Sequence, residues 1–463
     1  MEFRRSAQEE LRRRRLAGQR LVGQATSRFL SAQHQHRQVT TQPIRLPEIE
    51  QRAVYRILNF ALRSGALMLA SGAGTVEVES TIGEFARACG LRRVEVDVTF
   101  TSLTASYIPG RDVEPVTTLR VVRHREVDYG RLTAIYALRD EMKAGQLTTE
   151  QAISRLDEIA TKPPRRNPLI LLGWAGMAAA FSVLLGGWGI AAPVAFVSTI
   201  IAYLAMQWGA GRGMLGFFQT ALAAAVATGA ALALAAMHAP AQSSLVVAGG
   251  IMVLEPGYAL VASVQDALTG FPISGSARGL EVLLTAAGIV SGIALMLYVG
   301  HMLGISIGVA AVSSGSLLRV PAQVAAAGVA ATLYATATSV PARALAWSGV
   351  TGAAGWAAAL LLENERVSPI FAAAVAAWLV GVVGRTVASR QGTHPFLYVV
   401  PGIMPLVPGL TIYGGMLTLI DGNDPGGIAL LLRALAVGLA IAAGVTLGHT
   451  VIRPIRRTQH AAG

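Results

Sequence analysis

Residues Gly250 to Tyr258 read Gly-Ile-Met-Val-Leu-Glu-Pro-Gly-Tyr. An acid and a helix-breaking Pro-Gly pair interrupt a run that is otherwise apolar. Residues Gly402 to Leu410, Gly-Ile-Met-Pro-Leu-Val-Pro-Gly-Leu, repeat the frame 152 positions later (402 − 250). Paired helix breaks at corresponding positions of a duplicated membrane segment are typical of a transporter binding site.

The composition along the chain separates two regions. The sequence up to Arg166 is rich in Arg, Glu and Asp, whereas residues 169–452 are dominated by Ala, Leu, Val, Gly and Ile. Hydrophobic residues make up 53% of the chain and charged residues only 14%, which excludes a wholly soluble protein. The sequence therefore predicts a soluble segment followed by a polytopic membrane domain.

Ten apolar stretches have the length of about 20 residues that a bilayer core of about 30 Å requires. They lie near residues 169–187, 190–208, 214–237, 245–264, 280–303, 321–340, 342–362, 368–388, 396–419 and 428–452. Because five spans precede the middle of the membrane domain, the second half must begin on the opposite side. The predicted fold is a polytopic α-helical membrane protein of about ten transmembrane helices in a 5+5 inverted repeat, with an N-terminal cytoplasmic α/β domain.

The domain boundaries follow the changes in composition. They are a basic, disordered tail (1–48), the cytoplasmic α/β domain (49–162), a linker (163–168), transmembrane repeat 1 (169–303), a connection (304–320), transmembrane repeat 2 (321–452) and a basic C-terminal tail (453–463). Within the α/β domain, periodicity predicts helices over 49–70, 76–89, 129–143 and 148–160, and strands over 94–100, 103–108 and 119–123. Residues Thr148 to Gln151 resemble a capping box.

The distribution of arginine predicts the orientation in the membrane. With the N-terminal domain in the cytoplasm, the outer connections hold only Arg319 and Arg366. The inner connections and the C-terminal tail hold Arg212, Arg278, Arg343, Arg385, Arg390, Arg453, Arg456 and Arg457. The positive-inside rule therefore favours a multi-pass protein of the bacterial inner (plasma) membrane with both termini in the cytoplasm. The arginine-rich N-terminal tail lacks aromatic residues or a motif for specific nucleic-acid binding, so disorder or contact with lipid headgroups is the simpler interpretation.

Several classes of function are disfavoured. Cys89 is the single cysteine, which excludes an intramolecular disulfide and a cysteine-based metal cluster. No transmembrane span carries two histidines at ligand spacing, and no nucleophile and base occur at a workable spacing. The turn Ser71 to Gly74 precedes a helix but lacks the lysine of a phosphate-binding loop. We therefore predict no enzyme activity, no cofactor and no metal.

The two Pro-Gly frames are the predicted substrate site. Each proline removes a backbone donor and should open a half-helix, whose N-terminal N–H groups suit a carboxylate while freed carbonyls suit an ammonium. A zwitterionic amino acid supplies both groups, and nearby hydroxyls could contact a polar side chain. The predicted substrate-binding residues are Pro256, Gly257, Tyr258, Pro405, Pro408, Gly409, Thr411 and Tyr413.

Two acids are predicted to couple transport to protons. A charged side chain at the depth of Glu255 costs about 3 kcal/mol or more, and its counterpart in the second frame is Val407, so the acid belongs to one repeat only. Glu255 is the predicted proton carrier; direct contact with a substrate ammonium and a neutral, hydrogen-bonded structural role are the alternatives. Asp266 is expected either in the inner vestibule, as a second coupling residue, or at the surface.

Three stretches resemble the threonine/serine exporter family. They are Ser71 to Leu91, Leu254 to Gly257 with Asp266 and Ser274 to Arg278, and Pro401 to Tyr413, so the resemblance covers about residues 50–452. It implies a ten-span exporter of L-threonine and L-serine that works by antiport with protons. Glu255 stands where the family often has a less polar residue, so its assignment as carrier depends on the physical argument alone.

Two alternatives remain open at this point. Export of small dicarboxylates such as succinate would need a cation in the pocket for the second carboxylate, and within the spans only Arg433 is available. A membrane-anchored sensor built on the 49–162 domain would leave the paired helix breaks unexplained. The expected partners are the amino acid, protons and the lipid bilayer, and a homo-oligomer is compatible with the sequence.

Overall fold

A computed structural model describes most of the chain. The described residues are 48–110, 113–123, 125–162, 168–187, 189–237, 246–247, 249–250, 254, 257–305, 320–420 and 424–451. The predicted N-terminal and C-terminal tails, most of the linker and of the connection between the repeats, Glu255 and Pro256 lie outside these residues. So do the side chains of Tyr258 and Tyr413.

The N-terminal region consists of four helices and one small sheet. The helices are α1 (Glu48–Ala70), α2 (Thr75–Ala88), α3 (Tyr129–Lys143) and α4 (Thr149–Thr161), and the strands are β1 (Val94–Val98), β2 (Ser102–Tyr107) and β3 (Val116–Val121). The sheet is antiparallel in the order β1-β2-β3. Leu103 and Ala105 of β2 are fully buried, and α1 packs on β2 and β3. Both halves of the predicted capping box are present at the start of α4, between Thr148 and Gln151.

The third strand differs from its predicted position. The sequence pattern predicted residues 119–123, whereas β3 begins at Val116 and ends at Val121. The pairing partner fixes this register, because Val116 lies opposite Tyr107 and Val121 lies opposite Ser102. A single strand cannot reveal where its neighbour ends.

The membrane region is helical throughout the described residues. Its helices are α5 (Pro168–Leu184), α6 (Ala191–Gly211), α7 (Gly216–Ala236), α8 (Gly257–Leu268), α9 (Pro272–Met302), α10 (Val320–Ala337), α11 (Ala342–Asn364), α12 (Pro369–Gln391), α13 (Phe396–Ile403), α14 (Gly409–Ile420) and α15 (Asp424–Val451). Seven of the described helices, α6, α7, α9, α10, α11, α12 and α15, are long and apolar enough to cross a membrane. The chain is therefore a polytopic helical membrane protein.

Helix boundaries in the two halves recur at the offset of the sequence repeat. The short helices α8 and α14 both have 12 residues, and they begin at Gly257 and Gly409, which are 152 positions apart. The following helices begin at Pro272 and Asp424, again 152 positions apart. Helices α5 and α10 begin at Pro168 and Val320, with the same spacing.

Packing recurs in the same way. Helix α7 packs on α9 as α12 packs on α15, and α8 packs on α9 as α14 packs on α15. Gly292 of α9 and Gly444 of α15 are 152 positions apart, and an added Cβ at either one would overlap a carbonyl oxygen of the neighbouring helix. Glycine is therefore required at both crossings, because the two backbones touch.

The N-terminal region shares a hydrophobic core with part of the membrane region. One buried cluster joins Leu132 and Ile135 of α3 with Phe181 of α5, Tyr334 of α10 and Leu397 of α13. The backbone N–H of Tyr129 donates to the carbonyl of Thr338, in the turn after α10, at 2.9 Å. The N-terminal region is therefore packed against the helices and is not a separate body on a tether.

Candidate functional site

The ninth predicted span is interrupted, and two side chains of α11 support the interruption. Pro401 lies inside α13 and has no N–H to give the carbonyl of Leu397. Ser348 Oγ donates to that carbonyl at 2.9 Å, and Thr351 Oγ1 donates to the carbonyl of Tyr398 at 2.8 Å. Both side chains are fully buried. The carbonyl of Leu397, which Pro401 leaves without its helical donor, is thus satisfied by a neighbouring hydroxyl, and the carbonyl of Tyr398 gains a second donor.

The break itself lies at Val407 and Pro408. After α13 the chain forms one 3-10 turn, Met404–Leu406, and Val407 is extended with φ −66° and ψ 133°. A residue that precedes proline avoids the helical conformation, so the helix cannot continue through this point. The first helical bond of α14 runs from the N–H of Ile412 to the carbonyl of Pro408 at 3.1 Å. The N–H groups of Gly409, Leu410 and Thr411 have no acceptor within the helix.

The carbonyls on the other side of the break are partly used. The N–H of Met404 donates to the carbonyl of Pro401, and the N–H of Val407 donates to that of Met404 at 3.3 Å. Each carbonyl oxygen keeps a second lone pair. The break thus places helix N–H donors and backbone acceptors within one short segment.

The first turns of α8 and α14 face a common apolar cluster. Leu260 of α8 and Ile412 of α14 are repeat counterparts, each three residues after the first glycine of its helix. They belong to one apolar cluster that also contains Ala286 of α9 and Ala434 of α15. Leu260 also lies against Gly438 of α15, whose added Cβ would come within 3.2 Å of Leu260 Cδ2. The first turn of each predicted half-site thus contributes a side chain to the same apolar cluster.

The predicted substrate residues are distributed as follows. Pro405, Pro408 and Gly409 are buried at the break, and Thr411 is half-buried in the first turn of α14. Gly257 is the first residue of α8, which matches its counterpart Gly409. No cluster of three or more His, Cys, Asp or Glu side chains that could hold a metal ion occurs among the described residues.

Asp266 is buried, so its alternative placement at the surface is wrong. The residue is only 3% exposed. Its Oδ2 lies 3.3 Å from Nη2 of Arg278 in α9, and its Oδ1 accepts the backbone N–H of Thr75 at 3.2 Å. Thr75 is the first residue of α2, and the preceding residue, Gly74, makes no side-chain cap. A carboxylate of the membrane region thus caps a helix of the N-terminal region.

Next to this cap, the carboxyl group of Glu77 accepts a hydrogen bond from the hydroxyl of Tyr136 in α3 at 2.8 Å. The Glu77 side chain keeps accessible surface, yet burial among protein atoms raises its pKa above the ordinary value, an effect that the bond to Tyr136 opposes. Both observations hold if the carboxyl group lies in a recess enclosed by protein. Asp266 is close enough to raise the pKa of Glu77 further.

Arg125, in the segment before α3, lies in the same corner. Its guanidinium stacks on the ring of Phe100, with 3.7 Å between Cζ and the ring centroid. Burial, and then the neighbouring charge of Arg278, lower the pKa of Arg125 to about 10. Two arginines and Asp266 therefore form a partly desolvated charged cluster where the N-terminal region meets α8 and α9.

A second contact joins α3 to the start of the interrupted span. His394 stacks on Tyr136 with 3.9 Å between the ring centroids, and Phe396 packs against Tyr129 and Tyr136 at 5.4 and 5.5 Å. Burial lowers the pKa of His394, and the charge of Arg139 lowers it further. Sequence reasoning missed this contact, because a lone histidine in a short turn has no periodic signal and its partner lies far away in the sequence.

A polytopic helical bundle with a broken span is the architecture of a membrane transporter. The comparisons with known proteins then identify its family. The ThrE family model of threonine/serine exporters matches residues 59–300, and a second model, described as "Threonine/Serine exporter, ThrE", matches residues 323–451. The chain belongs to the threonine/serine exporter family and is an amino-acid exporter.

Two curated relatives agree with this family. The chain is 31% identical over 422 residues to the "Threonine/serine exporter" of Corynebacterium glutamicum, which covers 90% of this chain and 86% of the relative. It is 33% identical over 419 residues to the "Probable threonine/serine exporter" of Mycobacterium tuberculosis (strain ATCC 25618 / H37Rv), covering 87% and 77%. No solved structure matches the chain.

Proposed function

We propose that this protein exports L-threonine and L-serine by antiport with protons. The observation that carries the proposal is the interruption between α13 and α14, whose half-helix begins at Gly409, together with the matching start of α8 at Gly257. Half-helix N-termini at the centre of a bundle suit the carboxylate of an amino acid. The names of the two curated relatives support threonine and serine as the substrates.

We also propose ten spans in a 5+5 inverted repeat with both termini in the cytoplasm. The recurrence of helix boundaries at an offset of 152 residues supports the repeat. The contacts of the N-terminal region support the orientation, since Asp266, Arg278, Thr338 and His394 all lie at span ends or connections that the positive-inside rule assigns to the cytoplasm.

In this proposal the substrate carboxylate binds the free N–H groups at the start of α14 and α8. The ammonium binds carbonyl oxygens at the break, and the Thr411 hydroxyl contacts the hydroxyl of the substrate. Glu255, the acid without a counterpart in the second repeat, carries the proton. We predicted Asp266 as a second coupling residue. It is paired with Arg278 and caps α2, and these contacts favour a role in positioning α8.

Counterflow in proteoliposomes tests the substrate and the driving force. Vesicles preloaded with threonine should accumulate labelled threonine and serine but not labelled succinate, and a pH gradient should drive net threonine movement. Failure to take up threonine and serine would reject the proposed substrates. Uptake of succinate in their place would establish the dicarboxylate alternative.

A matched pair of variants tests the site. Thr411→Val should raise the KM for threonine about tenfold, because a buried polar contact is lost. Thr418→Val, two turns further along α14, is the control, since its hydroxyl donates within its own helix to the carbonyl of Gly414 at 2.7 Å. Equal KM values in the two variants would place the substrate elsewhere.

A further inference from the structure

The N-terminal region contacts both spans that contain the proposed substrate site, at the end of α8 and at the start of α13. In the first repeat, Thr75 of α2 donates to Asp266, near the end of α8. In the second repeat, Tyr129 and Tyr136 of α3 pack on Phe396, the first residue of α13. Helices α2 and α3 therefore hold the ends of both spans that contain the proposed substrate site.

A hydrogen bond between α2 and α3 links these two contacts. Glu77 lies two residues after Thr75 on α2, and its carboxyl group accepts from the hydroxyl of Tyr136 on α3. Tyr136 is buried, and its ring stacks on His394, just before α13. The connection thus runs from α8 through Asp266, Thr75, Glu77 and Tyr136 to the start of α13.

We propose that this connection, Asp266, Thr75, Glu77 and Tyr136, is a latch that closes the substrate site on the side of the N-terminal region. In the latched state, the ends of α8 and α13 are fixed to one rigid body. Opening that side requires at least one of them to move, which breaks the cap on α2 or the bond between Glu77 and Tyr136. Asp266 and Tyr136 are thus positioning residues of transport, and the proposal rests on the proposed export function.

The packing of the N-terminal region makes such a latch effective. A loosely tethered domain could not resist the movement of a helix, whereas α3 shares a hydrophobic core with α5, α10 and α13. Movement of α8 alone would separate the carboxylate of Asp266 from the guanidinium of Arg278. This is unfavourable because it leaves two buried charges without their partners. The latch therefore stabilises the closed state through the contacts of Asp266 with Thr75 and Arg278 and of Glu77 with Tyr136.

The first test measures access to the site and does not depend on transport. Cys89 is the only cysteine, so Cys89→Ser followed by Thr411→Cys places one thiol at the start of α14. The rate of labelling by a membrane-impermeant maleimide is measured from the side of the N-terminal region. In this background, Asp266→Ala and Tyr136→Phe should each raise the labelling rate at least fivefold, the lower end of typical coupling between sites.

Matched controls separate a latch from general loosening. Thr418→Ala changes the repeat counterpart of Asp266, and Tyr55→Phe removes a hydroxyl from an exposed tyrosine of α1; both should leave the rate unchanged. Tyr136→Phe keeps the ring and its stacking on His394, so it remains informative if Asp266→Ala does not fold. An unchanged labelling rate in folded Tyr136→Phe protein would overturn the latch.

The second test measures transport by counterflow. Loss of the latch should lower the KM for threonine on the side of the N-terminal region about fivefold and raise it on the opposite side, because the open state gains population. A merely structural defect would reduce the amount of active protein without moving either KM, and that result would also overturn the proposal. The two proposals can fail separately. If the variants are labelled faster but the wild-type protein moves no threonine, the proposed export function is rejected and the latch is still supported.

Discussion

The hairpins α8–α9 and α14–α15 have the same backbone plan but different chemistry. Each begins with a 12-residue helix that starts at an equivalent glycine. In the first hairpin, Asp266 reaches out of its helix to Arg278 and to the N-terminal region. Its counterpart in the second hairpin is Thr418, whose hydroxyl donates within its own helix, and the counterpart of Arg278 is Leu430. At this position the first hairpin contacts the N-terminal region, whereas the second bonds within its own helix.

The difference continues at the crossing of the two helices. In the first hairpin, the hydroxyl of Ser263 donates to the carbonyl of Gly275 at 2.7 Å. In the second, the counterparts are Gly415 and Gly427, which approach each other directly. Small residues thus allow both hairpins to cross closely, whereas polar contacts at equivalent positions differ between them.

Substitutions at the equivalent positions 266 and 418 should change the unfolding free energy by very different amounts. Asp266→Ala should cost about 3–5 kcal/mol in unfolding free energy, because it leaves Arg278 buried without its partner. Thr418→Ala at the equivalent position should cost no more than about 1 kcal/mol. Denaturant unfolding in detergent micelles measures both.

A double variant sharpens this result. Asp266→Leu combined with Arg278→Met should recover most of the loss, since two apolar groups can replace a buried ion pair at little cost. Equal losses for Asp266→Ala and Thr418→Ala would contradict the distinction between the hairpins.

The second effect should be alike in both hairpins. An added Cβ at Gly275 would lie 2.7 Å from the carbonyl oxygen of Ser263, and at Gly427 it would lie 2.8 Å from that of Gly415. Gly275→Val and Gly427→Val should therefore each destabilise the protein by about 1–3 kcal/mol through overpacking. Thermal unfolding of the purified protein measures the loss. Gly414→Ala is the control, because its added Cβ meets nothing within 4 Å; a loss as large in this variant would show that crowding is not the cause.

The third effect depends on the acid that only the first repeat has. Glu255→Gln should reduce threonine export driven by a pH gradient about tenfold, equivalent to about 1.4 kcal/mol, while counterflow without a gradient persists. Transport in proteoliposomes with and without the gradient measures both quantities. Glu365→Gln, in a connection between spans, should leave both unchanged. If the pH gradient drives threonine export by the Glu255→Gln variant as strongly as by the wild type, Glu255 is not the proton carrier.

The smallest effect concerns the contact of the second repeat with the N-terminal region. Burial lowers the pKa of His394 below its usual 6.5, so the unfolded chain binds the proton more readily. The stability contributed by the neutral imidazole is therefore present above pH 6.5 and is lost as the pH falls below it. Arg139, Asp140 and Lys143 face the ring and set the size of the effect.

His394→Phe keeps a ring against Tyr136 and removes the titration. Between pH 7 and pH 5.5, the Tm of the wild type should fall by about 1–2 °C more than that of His394→Phe. Parallel Tm profiles for the two proteins would show that His394 does not gain a proton at this contact.

Much of the fold was accessible from local patterns. Helical periodicity predicted α1 to α4 within a residue or two, and apolar length predicted the positions of the long membrane helices. Proline chemistry predicted a break near Pro408, because a missing N–H and a steric restraint act on the nearest residues only. The third strand was misplaced because its limits depend on its partner, β2.

The surroundings of the site were less accessible. The contact between Asp266 and Thr75 joins residues 191 positions apart. The sequence marked Asp266 as unusual but offered no means to choose its partner. Ser348 and Thr351 carry no signal of their own either, since a hydroxyl inside an apolar helix ordinarily donates within that helix. Only the position of α13 shows why these two are needed.

Local sequence patterns determined that this is a helical membrane protein with a helix break near Pro408, because length, hydropathy and proline act on neighbouring residues. The folded structure was needed to show that the N-terminal region contacts both α8 and α13, and that Asp266 caps α2. Ion pairs, caps and ring stacking depend on which surfaces meet after folding, and no local pattern in the chain encodes that meeting.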